Sequence, residues 1–111
     1  MSDITFKEMI NKTNDLIKEF EKVEQRKWGI EGNMIELSKQ IGELAQNVMM
    51  IEKYYFSQRD GDPEYNKASK EEIADELSDI LFLIIRIARH YKIDLEKYHL
   101  RALKEAHESI K

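Results

Sequence analysis

The 111-residue chain has no cysteine, one proline, four glycines and one tryptophan. Without cysteine, disulfides and thiolate metal sites are both excluded. There is no basic excess either. Lys and Arg total 18 against 22 Asp and Glu, a net charge of −4, whereas a nucleic-acid binder normally carries a basic stripe. No long apolar run is present. The most apolar stretch, Ile80 to Ile87, is too short to span a bilayer and is interrupted by Arg86, with Arg89 just beyond. Met1 to Phe6 shows no basic region leading into an apolar segment. These absences predict a soluble cytoplasmic protein that binds neither nucleic acid nor membrane. Its length predicts one domain over 1–111, small enough for a partner subunit to help it fold.

What is present reads almost entirely as helix. Thr5 with Glu8 forms a capping box for a first helix, with a stripe of Phe6, Met9, Leu16, Phe20 and Val23. Gly29, after Trp28, marks its expected end. Met34, Leu37, Ile41, Leu44, Val48 and Ile51 then recur at steps of three and four, the seam of a bundle helix. Gly42 in its middle costs about 1 kcal/mol against alanine, which suggests close approach by another helix or a ligand. Ser57 to Asn66, with Pro63 and with Gly61 between Asp60 and Asp62, reads as an exposed loop. Ser69 and Glu72 cap a third helix whose apolar face (Ile73, Leu77, Ile80, Leu81, Ile84, Ile87, Ala88 and Tyr91) is widened by Leu83 and Ile85, so its middle should be the most buried segment. Asp94 caps a fourth helix carrying Leu95, Tyr98, Leu103 and Ile110. Short connections favour a four-helix antiparallel bundle.

The most informative feature lies where acids meet that apolar run. Glu76 and Asp79 are i,i+3 neighbours and project from one helical face. Gln40 and Glu43 repeat the spacing on the second helix. If the two helices pack antiparallel, three carboxylates and one amide converge, a hard oxygen set suited to Mg²⁺ or Mn²⁺ and hence to phosphate chemistry. Asp79, beside the apolar run, should be partly buried, and a buried carboxylate is costly unless paired or metal-bound. The alternative is an ion pair with Arg86, Lys53 or Lys104. A di-iron site needs two Glu-x-x-His copies. Glu96 and His99 supply only one, and His90 and His107 have no such partner, so all three histidines read as surface residues.

Taken together, Ile41-Gly42-Glu43-Leu44-Ala45 and Glu76-Leu77-Ser78-Asp79-Ile80-Leu81 resemble the MazG-type all-α NTP pyrophosphohydrolases, a superfamily that also includes dimeric dUTPases and phosphoribosyl-ATP pyrophosphohydrolases. Ile87 to Leu95 resembles the stretch leading to that family's last helix. The resemblance covers roughly Trp28 to the C-terminus. It implies a homodimer or homotetramer that cleaves a nucleoside triphosphate to a monophosphate and pyrophosphate. Glu43, Glu76 and Asp79 would be the catalytic metal ligands, with Gln40 as a weaker one. Lys53, Arg86 and Lys104 are the cations available to face phosphate. The chain departs from the family at Gln40, where a glutamate is expected, and at Lys39, where an acid is common. A neutral carbonyl costs the site one negative charge, and Glu36 can compensate through a water. The last helix departs too, since Lys104-Glu105-Ala106-His107 lacks the family's Asn and Arg. The alternative function is therefore a catalytically weakened or inactive MazG-like protein that binds nucleotide as a regulator.

Overall fold

A computed structural model of the chain describes residues 3–55 and 69–110; the loop expected over Ser57 to Asn66 lies outside them. The described residues form four helices: α1 (Phe6–Val23), α2 (Ile30–Ile51), α3 (Lys70–His90) and α4 (Leu95–Ser109), with no strand among them. The all-helical expectation holds. None of these helices is long and apolar enough to cross a membrane.

Three helix starts form as their residues require. The Thr5 hydroxyl accepts from the Glu8 N–H at 3.1 Å, the Ser69 hydroxyl from the Glu72 N–H at 3.2 Å, and Asp94 Oδ1 from the Lys97 N–H at 3.1 Å. The end of α1 differs from expectation. The helix stops at Val23 rather than near Gly29, because Glu24 turns to extended backbone (φ −67°, ψ 132°) while its N–H still bonds Phe20 O. The Glu24 carboxylate is drawn to Arg86, and that contact outweighs the helical continuation.

Two other ends share a different geometry. After α2, the Lys53 N–H bonds Met50 O at 3.2 Å and the Tyr54 N–H bonds Met49 O at 3.0 Å. After α3, the Lys92 N–H bonds Arg89 O at 3.1 Å and the Ile93 N–H bonds Ala88 O at 2.8 Å. Each pair is a Schellman motif, and each places a lysine where glycine is usual, at φ 57° for Lys53 and 55° for Lys92.

The chain divides into two compact units, residues 1–30 with 85–111 and residues 31–84. In the first, Ile17, Ile85 and Ala88 are buried, and the Arg86 guanidinium is buried against Glu24 with its carbon 4.8 Å from the Trp28 ring centroid. Arg89 adds a looser pair with Glu21 at 3.4 Å. Among the described residues of the second unit, Leu83 is the buried apolar one. Three of the four buried apolar residues among those described thus fall between Leu83 and Ala88, as the breadth of that apolar face predicts.

The stripes themselves are rotated from their expected register. On α1 the less exposed line is Phe6, Ile10, Thr13 and Ile17, while Met9, Leu16, Phe20 and Val23 stay exposed. The apolar arc is wider than the arc the fold covers, so periodicity alone cannot fix which part turns inward. The α4 face behaves likewise, with Tyr98, Leu103 and Ile110 exposed. Gly42 also differs from expectation. A methyl group built there meets nothing within 4 Å, so no element of the described chain approaches it closely.

Candidate functional site

Within the second unit, the covered face of α2 is largely polar where the pattern places apolar residues, and the covered line of α3 admits one carboxylate, Glu76. On α2, Asn33 is buried and Glu36, Gln40, Glu43 and Asn47 are half-buried, in steps of three and four. Leu37 and Leu44 share that half-buried arc, whereas Met34, Ile41 (49 % exposed), Val48 and Ile51 of the expected seam lie exposed. On α3, Ile73, Glu76 and Ile80 are half-buried and Leu83 is buried, while Leu77 (53 % exposed), Leu81 and Ile84 are exposed. Burying polar side chains while leaving apolar ones in water runs against the hydrophobic effect. Such an inversion signals either a polar site or a covering partner.

The two acid motifs do meet. Glu43 and Glu76 interact through their side chains across α2 and α3. Burial raises the Glu76 carboxyl above the ordinary carboxylate range. The charges of Glu43 and Asp79, a hydrogen bond with Glu43 and the charge of Glu72 push it further the same way. Like charges held this close favour a shared proton or a cation. The expected burial of Asp79 is not observed: it is exposed and Glu76 is half-buried in its place. The cause is register, since Glu76 lies in line with Ile73, Ile80 and Leu83, and Asp79 sits on the flank of that line.

On the α2 side, Gln40 Nε2 donates to Glu36 Oε1 at 3.0 Å. Its carbonyl oxygen is left buried without a hydrogen-bond partner, and Glu76 Oε2 is in the same condition. Native structures rarely leave such atoms orphaned. Lys39 spans the motif on its outer edge, with Nζ 3.5 Å from Glu36 Oε1 and 3.7 Å from Glu43 Oε1. Asn33, only 2 % exposed, has an Oδ1 that likewise accepts nothing. Sequence reasoning missed Asn33 and Asn47. Their signal was available: Asn33, Gln40 and Asn47 recur every seven residues beside the apolar seam.

The cations expected at phosphate are dispersed. Arg86 Nη2 donates to both Glu24 oxygens at 2.9 Å and is committed there. Lys53 is exposed at the left-handed end of α2, in the same unit as the acids. Lys104 is exposed on α4, in the other unit. All three histidines are exposed. None of Arg86, Lys53 and Lys104 is among the charges acting on Glu76.

Oxygen donors of this kind fit a hard divalent cation, and the two orphaned oxygens, Gln40 Oε1 and Glu76 Oε2, are the atoms such an ion would satisfy. Among the described residues, however, no group of three or more His, Asp or Glu closes into a ready ligand cage. The donors meet as a pair, Glu43 with Glu76, with the charge of Asp79 close by. The chain matches no protein-family model, and comparison with curated proteins and with solved structures found no match.

Proposed function

We propose that the chain is a Mg²⁺- or Mn²⁺-dependent pyrophosphohydrolase that converts a nucleoside triphosphate to its monophosphate and pyrophosphate, in keeping with removal of unwanted nucleotides from the cytoplasmic pool. The observation that carries this reading is the meeting of Glu43 with Glu76 across two helices, beside two buried oxygens without partners. Glu43, Glu76 and Asp79 hold the ion, and the Gln40 carbonyl adds a neutral donor. The ion, when bound, supplies charge against the phosphate oxygens and makes a water more acidic. Of the three candidate cations, Lys53 shares a unit with the acids and takes the role of meeting the departing phosphates in this reading.

Exposed Met34, Ile41, Val48, Leu77 and Leu81 support a homodimer or homotetramer, in which a second copy covers the apolar flanks beside the acids. A second reading is a nucleotide-binding regulator without turnover. It is favoured by the neutral Gln40 and by Lys39, which already neutralises part of Glu36 and Glu43.

Pyrophosphate release from standard and modified NTPs, with Mg²⁺, Mn²⁺ or EDTA, tests the proposal. Metal-dependent release that is lost in Asp79→Asn supports the enzyme. Silence across the panel, in protein that still binds metal, transfers the conclusion to the regulator. Failure to bind metal at all removes both.

A further inference from the structure

α1 carries two apolar lines, and the fold covers only one of them. Phe6, Ile10, Thr13 and Ile17 form the less exposed line, with Ile17 buried. The other runs through Met9, Leu16, Phe20 and Val23, which range from 43 % exposed at Phe20 to 74 % at Val23. Phe6 and Thr13 lie at the edge between the two lines. With them the outer line occupies positions 6, 9, 13, 16, 20 and 23, in steps of three and four throughout. Such spacing is the seam of a paired helix rather than a scatter of single surface residues. Lys12 and Glu19, both exposed, stand one heptad apart on one flank of this seam. The opposite flank holds Ile10 and Ile17, which belong to the covered line.

We infer that the exposed α1 seam pairs with the α1 seam of a second copy, antiparallel, about a two-fold axis between Asn14 and Asp15. The seam is its own complement under that operation. Reversal about the axis sets Phe6 against the partner's Val23, Met9 against the partner's Phe20 and Thr13 against the partner's Leu16. It also brings Lys12 beside the partner's Glu19 and, by symmetry, Glu19 beside the partner's Lys12. Parallel pairing would instead set Lys12 against Ile17 and Glu19 against Glu24, a like charge that Arg86 already holds. Charge complementarity thus selects the occupant, a second copy, and its direction, while the apolar layers supply the burial. This surface lies in the unit of residues 1–30 and 85–111, whereas the apolar flanks beside the acids lie in the other. Its pairing needs no metal.

Sedimentation equilibrium of the intact protein in EDTA tests the pairing. The variants are Lys12→Glu and Glu19→Lys, with Lys22→Ala as a control, because Lys22 meets Glu19 within the same helix at 3.3 Å. The wild type should assemble with an even number of chains. Lys12→Glu and Glu19→Lys, each alone, should dissociate about tenfold more readily, since two symmetry-related pairs turn repulsive at once. Mixed one to one, these two variants should assemble with each other as tightly as the wild type does, because opposite charges face again at both ends. Lys22→Ala should match the wild type. A wild type that stays monomeric at every concentration would overturn the proposal. So would an assembly indifferent to both charge variants, which would place the second copy elsewhere on the chain. Charge variants that weaken assembly but are not rescued by mixing would overturn the antiparallel register. None of these outcomes bears on the metal-binding reading, which the titration with metal and NTP tests separately.

Discussion

Arg86 and Glu24, 62 residues apart, form a nearly enclosed ion pair in which one guanidinium nitrogen lies 2.9 Å from each carboxylate oxygen. Their side chains are 8 % and 15 % exposed, and Trp28 lies under the guanidinium at 4.8 Å. Breaking such a pair from one side strands the other charge, at a cost of about 3–5 kcal/mol. Glu24→Ala should therefore destabilise the protein by about 3 kcal/mol in urea unfolding and shift the Trp28 fluorescence. A loss under 1 kcal/mol would show that water reaches the guanidinium. The same pair explains why Arg86 is a poor choice for a phosphate ligand.

Gly42 lies mid-helix, where a Cβ meets nothing within 4 Å. Helix propensity then decides the effect of substitution, and alanine should stabilise by about 1 kcal/mol. Denaturant unfolding of Gly42→Ala measures this, with gel filtration run alongside. A loss of stability accompanied by a smaller oligomer would mean that a second copy approaches at Gly42 and needs the space a methyl would fill.

Lys53 and Lys92 hold left-handed backbone at the ends of α2 and α3. An L-residue there is strained by roughly 1–2 kcal/mol, part of which glycine loses again through the entropy of its unfolded state. Lys53→Gly and Lys92→Gly should each gain about 0.5–1 kcal/mol. The double variant should gain the sum, because the two motifs share no hydrogen-bond partner. Thermal melts of all three variants check both statements. A drop on Lys53→Gly without a drop on Lys92→Gly would assign the Lys53 ammonium a stabilising contact of its own.

The four helices of the described residues were legible from their periodicity, and three of their starts from a few adjacent residues: Thr5 and Glu8, Ser69 and Glu72, Asp94 alone. The end of α1 was not, because Glu24 leaves the helix for a partner 62 residues away. The meeting of Glu43 with Glu76 was anticipated from spacing, yet which acid turns inward was not. On α3 the apolar arc is so broad that Glu76 and Asp79 flank it equally well in sequence. Packing at Ile73, Ile80 and Leu83 chooses Glu76. Asn33 escaped notice for a related reason: its seven-residue repeat with Gln40 and Asn47 runs beside a strong apolar stripe, and amides there read as solvent-facing until their burial is seen.

Glu76 gives a prediction in which stability and function oppose each other. Its carboxyl titrates above the ordinary range in the folded protein. The folded state therefore holds this proton more tightly than the unfolded chain does. Its contribution to stability is fully present below the unfolded value, near 4.5, and is lost as pH rises through the raised folded value. Glu76→Gln removes the carboxylate that burial and Glu43 disfavour, so in EDTA the variant should melt above the wild type at pH 7. That advantage should shrink toward pH 4, where the wild-type carboxyl is protonated as well. Addition of Mg²⁺ should reverse the order, raising the wild-type melting temperature and leaving Glu76→Gln unmoved, since a ligand stabilises only the state that binds it. Differential scanning calorimetry at pH 4 and pH 7, with EDTA or Mg²⁺, reads all four conditions. A wild type more stable than Glu76→Gln in EDTA at pH 7 would show that Glu76 is held by a favourable partner rather than strained by its neighbours, and the case for a cation between Glu43 and Glu76 would go with it.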